Sequence, residues 1–397
     1  MQKEKIWTST FTLTMITSLL FYFVFYALTV VVGSYAMTQY HAAASIAGLL
    51  SGIFVVGGFI GRLYAGNNVI RFGIKRMLYA GAIFYLLTTL LYFVMPNLTL
   101  LIILRFFHGI GFGIGATAAS TLAGMIVPKS RRGEGIGYFA LSITIASAFG
   151  PFISMSVYNS VGYQLLIVIA SVAAVLALVL SIFIKVPEAL AKARKMEKKP
   201  FSIWNFFEKS ALPISLIGFL VGIGYASILS FLDSFSASIG LLTAGSLFYV
   251  IYAIFIVGSR PLSGRLFDAK GDNFVMYPTF IFFAFGLALT GLSNSTLLLL
   301  IAAAFVGLGY GSFLPFGQAI AIRNAEPERI GIATSTIYGI FDMGVGVGPF
   351  LLGTIIPMTG YRKLYYLSAV FLLVVAVIYY FVHGRKALKP IDEYEVK

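Results

Sequence analysis

The sequence contains no cysteine, only three histidines and little charge, since Asp, Glu, Lys and Arg make up 11% of its 397 residues. The absence of cysteine excludes disulfide bonds, thiolate nucleophiles and cysteine metal sites. The chain also lacks a Ser-His-Asp pattern, a metal-ligand cluster and a phosphate-binding Gly-x-x-x-x-Gly-Lys loop. We therefore predict no enzymatic activity, no metal and no cofactor.

Apolar residues are present in excess. They make up 59% of the chain, whereas a soluble domain is about half apolar and about a quarter charged. Apolar runs of about 20 residues recur along the whole length, and each can cross a hydrocarbon core of about 30 Å as a helix. We predict an all-α polytopic membrane protein with twelve transmembrane helices. The predicted spans are 10–35, 43–66, 77–95, 99–127, 135–157, 163–184, 212–235, 242–267, 274–293, 296–323, 331–357 and 363–383.

The net charge of +14 is unevenly distributed among the loops. If the N-terminus is cytoplasmic, four inward segments are rich in Lys and Arg: 71–76, 128–134, 185–200 and 384–389. Only one outward loop, "PMTGYRK", carries basic residues. This asymmetry predicts a multi-pass protein of a bacterial cytoplasmic membrane with both termini inside, in contact with lipid rather than nucleic acid. The first apolar run is too long for a cleavable signal, so we expect it to remain as the first span.

The second half of the chain repeats the first at an offset of 198 residues, the distance from Gly150 to Gly348. The shift aligns "RFFHGIGFG" (105–113) with "AAFVGLGYG" (303–311) through three glycines each. It also aligns Arg62 with Arg260, Gly66 with Gly264, Gly73 with Gly271, Arg131 with Arg329, Gly133 with Gly331, and Gly150-Pro151 with Gly348-Pro349. Two pseudo-symmetric six-helix bundles follow, and duplicated halves with a substrate site between them are a recurring transporter architecture.

The repeat divides the chain into four predicted parts. They are an N-terminal six-helix bundle (1–184), a cytoplasmic linker (185–211), a C-terminal six-helix bundle (212–383) and a cytoplasmic tail (384–397). Within the linker, "FSIWNFFEKS" either forms an amphipathic helix on the inner membrane surface or belongs to a plain basic linker. We favour the plain linker.

The segment after the second predicted helix resembles a motif of the major facilitator superfamily, Gly-x-Leu-x-Asp-Arg-x-Gly-Arg-Arg/Lys. Here it reads "GNNVIRFGIK" (66–75), in which the glycines, Arg71 and Lys75 fit but Ile70 replaces the aspartate. The second half keeps the acid as Asp268. The resemblance extends over essentially the whole chain.

Two further motifs carry the same resemblance. Arg105 in "LRFFHGIGFG" matches the arginine that many family members have in helix 4. The Gly-Pro in "SAFGPFIS" (147–154) matches a motif of the exporting, antiporting branch, and it recurs in "GVGVGPFLLG" (344–353). The resemblance implies alternating access, a cavity lined mainly by helices 1, 4, 7 and 10, and membership of a drug and metabolite exporter branch.

The resemblance implies that the motif aspartate of the family holds the cytoplasmic ends of the two halves together. Because Ile70 cannot accept a hydrogen bond, we expect Asp268 to carry more of this role, facing the N-terminus of helix 5 near Gly133. The predicted cytoplasmic gate therefore consists of Arg62, Arg71, Asp268 and Arg260.

Of the fourteen acidic residues, only Asp233 and Asp342 lie within predicted spans. A carboxylate at a helix centre costs roughly 2.5–3.5 kcal/mol, so an intramembrane acid is a functional candidate. Asp342 is about 16 Å along helix 11, near the midplane. We predict it as the first candidate for proton coupling and Asp233 as the second. The alternatives are a structural partner of a buried polar group for Asp342 and a solvated helix end for Asp233.

Arg105 has no repeat counterpart, because position 303 is alanine. This asymmetry indicates a one-sided role, such as countering an acid or holding an anionic group of the substrate. His108 lies one turn further on the same face and can share the proton transfer, unless it simply packs between helices. Arg62 and Arg260 occupy equivalent positions, which favours a shared structural role.

Aromatic residues are numerous, and some are predicted to line a substrate cavity. In a lipid-facing protein with 16% aromatic residues, packing is the competing explanation. The predicted substrate contacts are Arg105, Tyr22, Tyr26, Tyr225, Tyr310, Phe316 and Gln318.

The Gly-Pro motifs combine the poorest helix formers. Small residues let helices approach closely, and proline bends a helix. We predict a helix-packing motif of Gly150, Pro151, Gly344, Gly348 and Pro349, with a hinge near Asp342.

The sequence thus favours a proton-coupled antiporter that exports small organic molecules, of the multidrug-efflux type, and we expect a monomer. One alternative is a dedicated exporter of a polar or zwitterionic metabolite such as an opine-type metallophore. Another is a proton-coupled nutrient importer. A membrane sensor would be expected to carry an additional soluble signalling domain.

Overall fold

The computed structural model describes residues 5–42, 44–186, 203–323 and 325–387. The first half forms six helices, which we label in chain order. They are α1 (Ser9–Tyr40), α2 (Ala44–Phe72), α3 (Ile74–Leu90), α4 (Leu98–Ile126), α5 (Arg132–Ser160) and α6 (Tyr163–Phe183). Asn97 and Thr8 begin α4 and α1 with side-chain caps, each accepting a backbone N–H of the first turn.

The second half also forms six helices. They are α7 (Leu212–Ser238), α8 (Leu242–Lys270), α9 (Asp272–Leu292), α10 (Thr296–Arg323), α11 (residues 330–359) and α12 (residues 361–382). The last two run together as Ile330–Val382 and are separated only by Gly360, which has φ 74°. Eleven segments of the described chain are long and apolar enough to span a membrane, and α2 makes the twelfth membrane-length helix.

The helices extend further than the predicted spans, because the motif segments are not open loops. A single residue, Gly73, separates α2 from α3, and its repeat mate Gly271 separates α8 from α9. Their φ angles of 87° and 82° lie in the region that glycine adopts without a steric penalty. The repeat in the sequence therefore corresponds to a repeated one-residue helix break.

The chain forms two compact units that do not follow the order of the sequence. The first unit comprises Met1–Val127, Ser142–Glu208 and Ala325–Gly339, and the second comprises Pro128–Leu141, Lys209–Asn324 and Ile340–Lys397. The start of α5 thus belongs to the second unit, and the start of α11 belongs to the first. In each unit, the fourth helix of a half packs against the second and third: α4 against α2 and α3, and α10 against α8 and α9.

Close approach of α2 and α4 depends on glycine. A Cβ at Gly57 would lie 2.1 Å from the backbone carbonyl oxygen of Phe106, and one at Gly109 would lie 2.2 Å from that of Phe54. Backbone atoms cannot move aside as a flexible side chain can, so these positions admit no larger residue without separating the helices.

We predict that Gly57→Ala destabilises the protein by about 1–3 kcal/mol through overpacking. Gly52→Ala on the same helix is the matched control, since a Cβ there meets nothing within 4 Å and alanine favours helix. Thermal unfolding of the purified protein in detergent measures both. Equal unfolding temperatures for the two variants would contradict the packing argument.

The described end of the linker is not an α-helix. Residues Ile203–Asn205 and Lys209–Ala211 form two separate 3₁₀ turns, so the amphipathic-helix interpretation is wrong for this part. The reason lies in its hydrogen bonds. The Arg329 guanidinium donates to the carbonyls of Trp204 and Phe207 at 3.2 and 3.0 Å, and the Glu208 N–H donates to Thr336 Oγ1 at 3.0 Å. The Glu208 N–H, which donates to Thr336 of α11, is therefore not available for an i→i−4 bond to the Trp204 carbonyl.

Candidate functional site

An aromatic cluster lies in the first unit, where α2, α3 and α4 meet. The rings of Phe54 and Phe112 are 5.5 Å apart, and those of Tyr85 and Phe112 are 6.1 Å apart. We call these three residues the first aromatic cluster. Phe25 of α1 extends it by stacking on Phe112 at 5.0 Å, and Tyr22 contacts Phe112 edge-on at 5.0 Å.

The second unit contains an equivalent arrangement. The rings of Tyr252 and Tyr310 are 6.1 Å apart, and those of Phe283 and Tyr310 are 5.7 Å apart. We call these three residues the second aromatic cluster. Tyr225 of α7 stacks face to face on Tyr310 at 3.7 Å, and Phe341 of α11 lies 6.3 Å from it.

The two clusters are related by the offset of 198 residues: Phe54 pairs with Tyr252, Tyr85 with Phe283 and Phe112 with Tyr310. The repeat therefore holds for side-chain packing as well as for glycines. The sequence prediction named one cluster member, Tyr310, and two neighbours of the clusters, Tyr22 and Tyr225, but it missed the other five cluster members. Applying the same offset to aromatic positions would have found them.

The first cluster carries a cation that the second lacks. Arg105 is fully buried, with its guanidinium 4.4 Å from the centre of the Phe54 ring. Its Nε donates to the Leu50 carbonyl at 3.0 Å and its Nη2 to Thr29 Oγ1 at 3.1 Å. The repeat mate of Arg105 is Ala303, so only one unit holds a positive charge at this place.

His108 is also buried and belongs to the same cluster. Its ring stacks on Tyr85 at 4.3 Å with an interplanar angle of 9°. Its Nε2 is hydrogen-bonded to Thr89 Oγ1 at 3.1 Å and its Nδ1 to the Tyr92 hydroxyl at 3.2 Å. Both ring nitrogens therefore have protein partners, as expected of a histidine that packs between helices. Its part in proton coupling stays a prediction.

The two intramembrane acids lie on helices of the second half. Asp342 is half-buried on α11, next to Phe341, which contacts the second aromatic cluster. The backbone of Asp233 lies within α7, and its side chain is outside the described part of the structure. Close packing brings α11 to α7, because a Cβ at Gly222 would lie 2.8 Å from the Phe341 carbonyl oxygen.

The remaining predicted substrate contacts lie at different places. Tyr26 is 6.3 Å from Tyr22 on α1. Phe316 is buried and stacks on Phe267 at 4.7 Å. Gln318 is buried on α10. Of the predicted substrate contacts, Arg105, Tyr22 and Tyr225 contact the aromatic clusters and Tyr310 belongs to the second one.

Asp268 binds the first turn of α5 within the second unit. The backbone N–H groups of Gly133 and Glu134 donate to its two carboxylate oxygens at 2.8 and 3.0 Å. These N–H groups have no partner within their own helix, and a negative charge there is favoured by the helix dipole. This is the contact that the sequence analysis expects. Glu134 in turn pairs with Arg131 at 2.7 Å and Arg265 at 3.5 Å.

The repeat-equivalent crossing in the first unit is built differently. A Cβ at Gly66 of α2 would lie 2.1 Å from Ser335 Oγ and 2.8 Å from the Gly331 carbonyl oxygen of α11. The two helices thus meet through small residues. The side chain of Ile70, which replaces the motif acid, is outside the described part of the structure. Here the carboxylate comes from the linker, since Glu208 pairs with Arg329.

The arginines of the predicted gate are not all alike. Arg62 is buried, donates to the Tyr22 hydroxyl at 3.4 Å and lies 5.2 Å from the Tyr338 ring. Arg260 is buried and donates to the Gly311 carbonyl. Arg71 is exposed beside Phe72 at the end of α2. Their joint action as a gate stays a prediction.

The glycines of the packing motif make close contacts. A Cβ at Gly344 would lie 2.1 Å from the Phe219 carbonyl oxygen, and one at Gly348 would lie 2.5 Å from Ala226 Cβ, both on α7. In the other half, a Cβ at Gly150 would lie 2.9 Å from Tyr26 Cβ on α1. Pro151 lies inside α5, and the side chain of Pro349 is outside the described part. The hinge stays a prediction.

The family model described as Major Facilitator Superfamily matches this chain over residues 14–289 and 271–396. The chain belongs to the Major Facilitator Superfamily. This agrees with the internal repeat and with the twelve membrane-length helices of the described residues.

Several relatives within the superfamily match most of this chain. An uncharacterised MFS-type transporter of Methanocaldococcus jannaschii is 24% identical over 342 residues, which are 84% of this chain and 88% of the relative. The staphylopine export protein of Staphylococcus aureus is 22% identical over 364 residues, covering 85% and 87%. The multi-drug resistance efflux pump PmrA of Streptococcus pneumoniae is 23% identical over 280 residues, covering 69% and 70%.

Solved structures support the two-bundle fold of the superfamily. The human organic anion transporter MFSD10 has a TM-score of 0.75 at 11% identity, covering 94% of this chain and 99% of that protein. The proton:xylose symporter XylE has a TM-score of 0.71 at 13% identity, covering 96% of both. As a member of this superfamily, the chain is a multi-pass transporter of a cell membrane.

Proposed function

We propose that this superfamily member is a proton-coupled antiporter that exports small organic molecules by alternating access. The observation that carries the proposal is the position of Asp342. It is an acid within an apolar helix, half-buried, and adjacent to a residue that contacts the second aromatic cluster. A half-buried carboxyl group within an apolar helix can bind a proton in one access state and release it in the other, if its surroundings change between the two states.

The aromatic clusters suit a substrate with apolar or planar parts, since binding sites combine an apolar, aromatic lining with few polar groups. Relatives named as a multi-drug efflux pump and a staphylopine export protein support export. The Lys and Arg bias of the loops favours cytoplasmic termini. We propose that the protein transports its substrate as a monomer and without a cofactor. Its proposed parts are the two six-helix bundles, the cytoplasmic linker and the cytoplasmic tail predicted from the sequence.

A second candidate is a dedicated exporter of a polar or zwitterionic metabolite. The observation in its favour is Arg105, a buried cation beside the first aromatic cluster. A hydrophobic cationic drug gains nothing from a guanidinium, whereas a molecule that carries an anionic group gains from Arg105.

The test uses inverted membrane vesicles with an acidic lumen and a panel of cationic dyes and polar metabolites. We expect substrate to accumulate in the lumen while protons leave it. Asp342→Asn should abolish this coupling, because an amide cannot carry the proton. Glu326→Gln is the matched control, since it removes an exposed carboxylate outside the helices.

Two results would overturn the proposal. Proton release that persists in Asp342→Asn would remove the assignment of the coupling group. Accumulation of substrate only under the reversed gradient would identify an importer. Both variants should first match the wild type in thermal unfolding, so that a loss of transport is not a loss of fold.

A further inference from the structure

An apolar groove of about 330 Å³ opens on the surface of the second unit, between α9 and α12. Its lining consists of Tyr277, Ala376, Val377, Tyr380 and Phe381. Val377, Tyr380 and Phe381 are each about half exposed. Both helices are long and apolar enough to span a membrane, so an exposed apolar groove between them faces lipid chains.

The repeat-equivalent place in the first half, between α3 and α6, is bridged by side chains. Lys75 Nζ and the Tyr79 hydroxyl donate to the Ile182 carbonyl at 3.2 and 3.4 Å. The offset of 198 residues relates Ile182 to Tyr380, and it relates Leu178 to Ala376. The groove of the second half thus has the small side chain of alanine where the first half has leucine.

Two exposed cations lie at one end of the groove. Arg385 and Lys386 belong to the 3₁₀ turn that follows α12. This turn begins at Gly384, where a Cβ would lie 2.9 Å from the Tyr277 hydroxyl oxygen. Asn273 Nδ2 donates to the Gly384 carbonyl at 2.8 Å. The turn is therefore held against the start of α9, beside a residue that lines the groove.

A third exposed cation comes from the end of α8. The Nζ of Lys270 lies 4.3 Å from the centre of the Phe274 ring. Phe274 is exposed and lies one turn before Tyr277 on the same face of α9. A lysine in this position covers apolar surface with its methylene groups and keeps its ammonium group at the level of the lipid head groups.

The acids near these cations are already engaged. Two acids lie in the described segments 265–277 and 376–387, Asp268 and Asp272. Asp268 accepts the N–H groups of α5, and Asp272 is buried and bound by Arg323 and His383. The exposed charge at this end of the groove is positive. The Lys and Arg bias of the loops assigns this end to the cytoplasmic leaflet, which contains anionic lipids.

We infer that the groove binds one acyl chain of an anionic phospholipid of the cytoplasmic leaflet, and that Lys270, Arg385 and Lys386 bind its phosphate. The apolar lining and the basic end together match a molecule with a hydrocarbon chain and a negative head group. The ammonium group of a zwitterionic lipid offsets the attraction. The site shares no residue with the aromatic clusters, and it is independent of the proposed transport reaction.

The test is native mass spectrometry of the full chain released from detergent, which counts bound lipids. The probes are phosphatidylglycerol and phosphatidylcholine with identical acyl chains, at equal concentrations. We expect phosphatidylglycerol to bind at least about tenfold more tightly, since each basic residue near an anionic lipid raises the affinity roughly fivefold. Replacement of Lys270, Arg385 and Lys386 together by Gln should remove this preference.

A second variant tests the groove itself. Ala376→Leu places the residue of the first half in the groove, and it should weaken the binding of both lipids at least about threefold while the preference remains. Val370→Phe is the matched control, because it adds bulk at an exposed position of α12 outside the groove. Thermal unfolding checks that each variant is folded. If Ala376→Leu fails to fold, the three Gln replacements decide, since their side chains are exposed.

A second set of charge replacements separates this site from general attraction to a basic surface. Lys5, Arg76 and Lys129 are exposed cations elsewhere, and their joint replacement by Gln should leave the preference unchanged. An equal loss of preference in both triple variants would overturn the inference, as would equal binding of the two lipids by the wild type. Lipid binding unaffected by Ala376→Leu in the folded variant would remove the groove from the site. A lipid-free dimer that separates when lipid is added would identify the groove as a contact between two copies of the chain.

Discussion

Asp268→Asn is expected to lower the transport rate by roughly 10- to 100-fold, because hydrogen bonds to a charged group contribute about 1.5–3 kcal/mol. In the wild type both carboxylate oxygens accept N–H groups at the first turn of α5. Asparagine keeps one acceptor, but it loses the negative charge and turns an NH₂ donor towards N–H donors. The start of α5 then binds α8 less tightly. The conformation in which Asp268 holds the first turn of α5 is therefore less populated.

The measurement is initial-rate transport in vesicles at matched expression. Ser263→Ala is the control on the same helix, since its hydroxyl bonds only to carbonyls of α8 itself. An Asp268→Asn rate equal to that of the wild type would show that the contact has no part in the transport cycle.

Glu208→Gln is expected to destabilise the protein by about 2–3 kcal/mol, somewhat less than the 3–5 kcal/mol for breaking a fully buried pair. Glu208 is buried and accepts from Arg329, whose guanidinium also holds the carbonyls of Trp204 and Phe207. Removal of the charge leaves Arg329 without its anion and frees the linker end from α11.

The readouts are thermal unfolding and the rate of tryptic cleavage after the exposed Lys209, which should rise in Glu208→Gln. Arg131→Gln is the matched control at the repeat position of Arg329. Both arginine side chains are 25% exposed, but Arg131 pairs with Glu134 at i,i+3 within one segment. Short-range pairs of this kind contribute about 0.2–1 kcal/mol, so we expect a small effect. Equal losses of stability in the two variants would contradict a special role of the linker contact.

Asp268 and Glu208 show that the two halves of a duplicated fold can keep equivalent helix contacts but form them with different residues. The motif acid is retained in the second half, where it caps α5. In the first half the motif position is Ile70, and α2 meets α11 through Gly66 and Gly331 instead. The carboxylate on the α11 side comes from the linker. Sequence reasoning located Asp268 through the motif, but no motif marks Glu208.

Twelve helices, the internal repeat and the superfamily could all be predicted from the sequence. Hydrophobic length alone determines a membrane-spanning helix, because backbone groups in lipid must be satisfied within the segment. Glycines at a fixed offset mark close helix approach, since a Cβ at Gly109 would lie 2.2 Å from the Phe54 carbonyl oxygen and one at its repeat mate Gly307 would lie 2.5 Å from that of Tyr252. The motifs also placed Asp268 at the start of α5, since a helix N-terminus attracts a carboxylate.

Only the tertiary structure decided which side chains meet. Arg105 and His108 are neighbours on one face in the sequence pattern, yet one keeps an unsatisfied buried donor and the other has both ring nitrogens hydrogen-bonded. The two aromatic clusters and the linker contact of Arg329 join residues separated by many positions along the chain. Each segment inserts into the membrane according to its own hydrophobicity, so the local amino-acid composition is enough to predict the spans. Hydrogen bonds and ring contacts depend on distances of a few ångströms between segments, and these are fixed only when the helices pack.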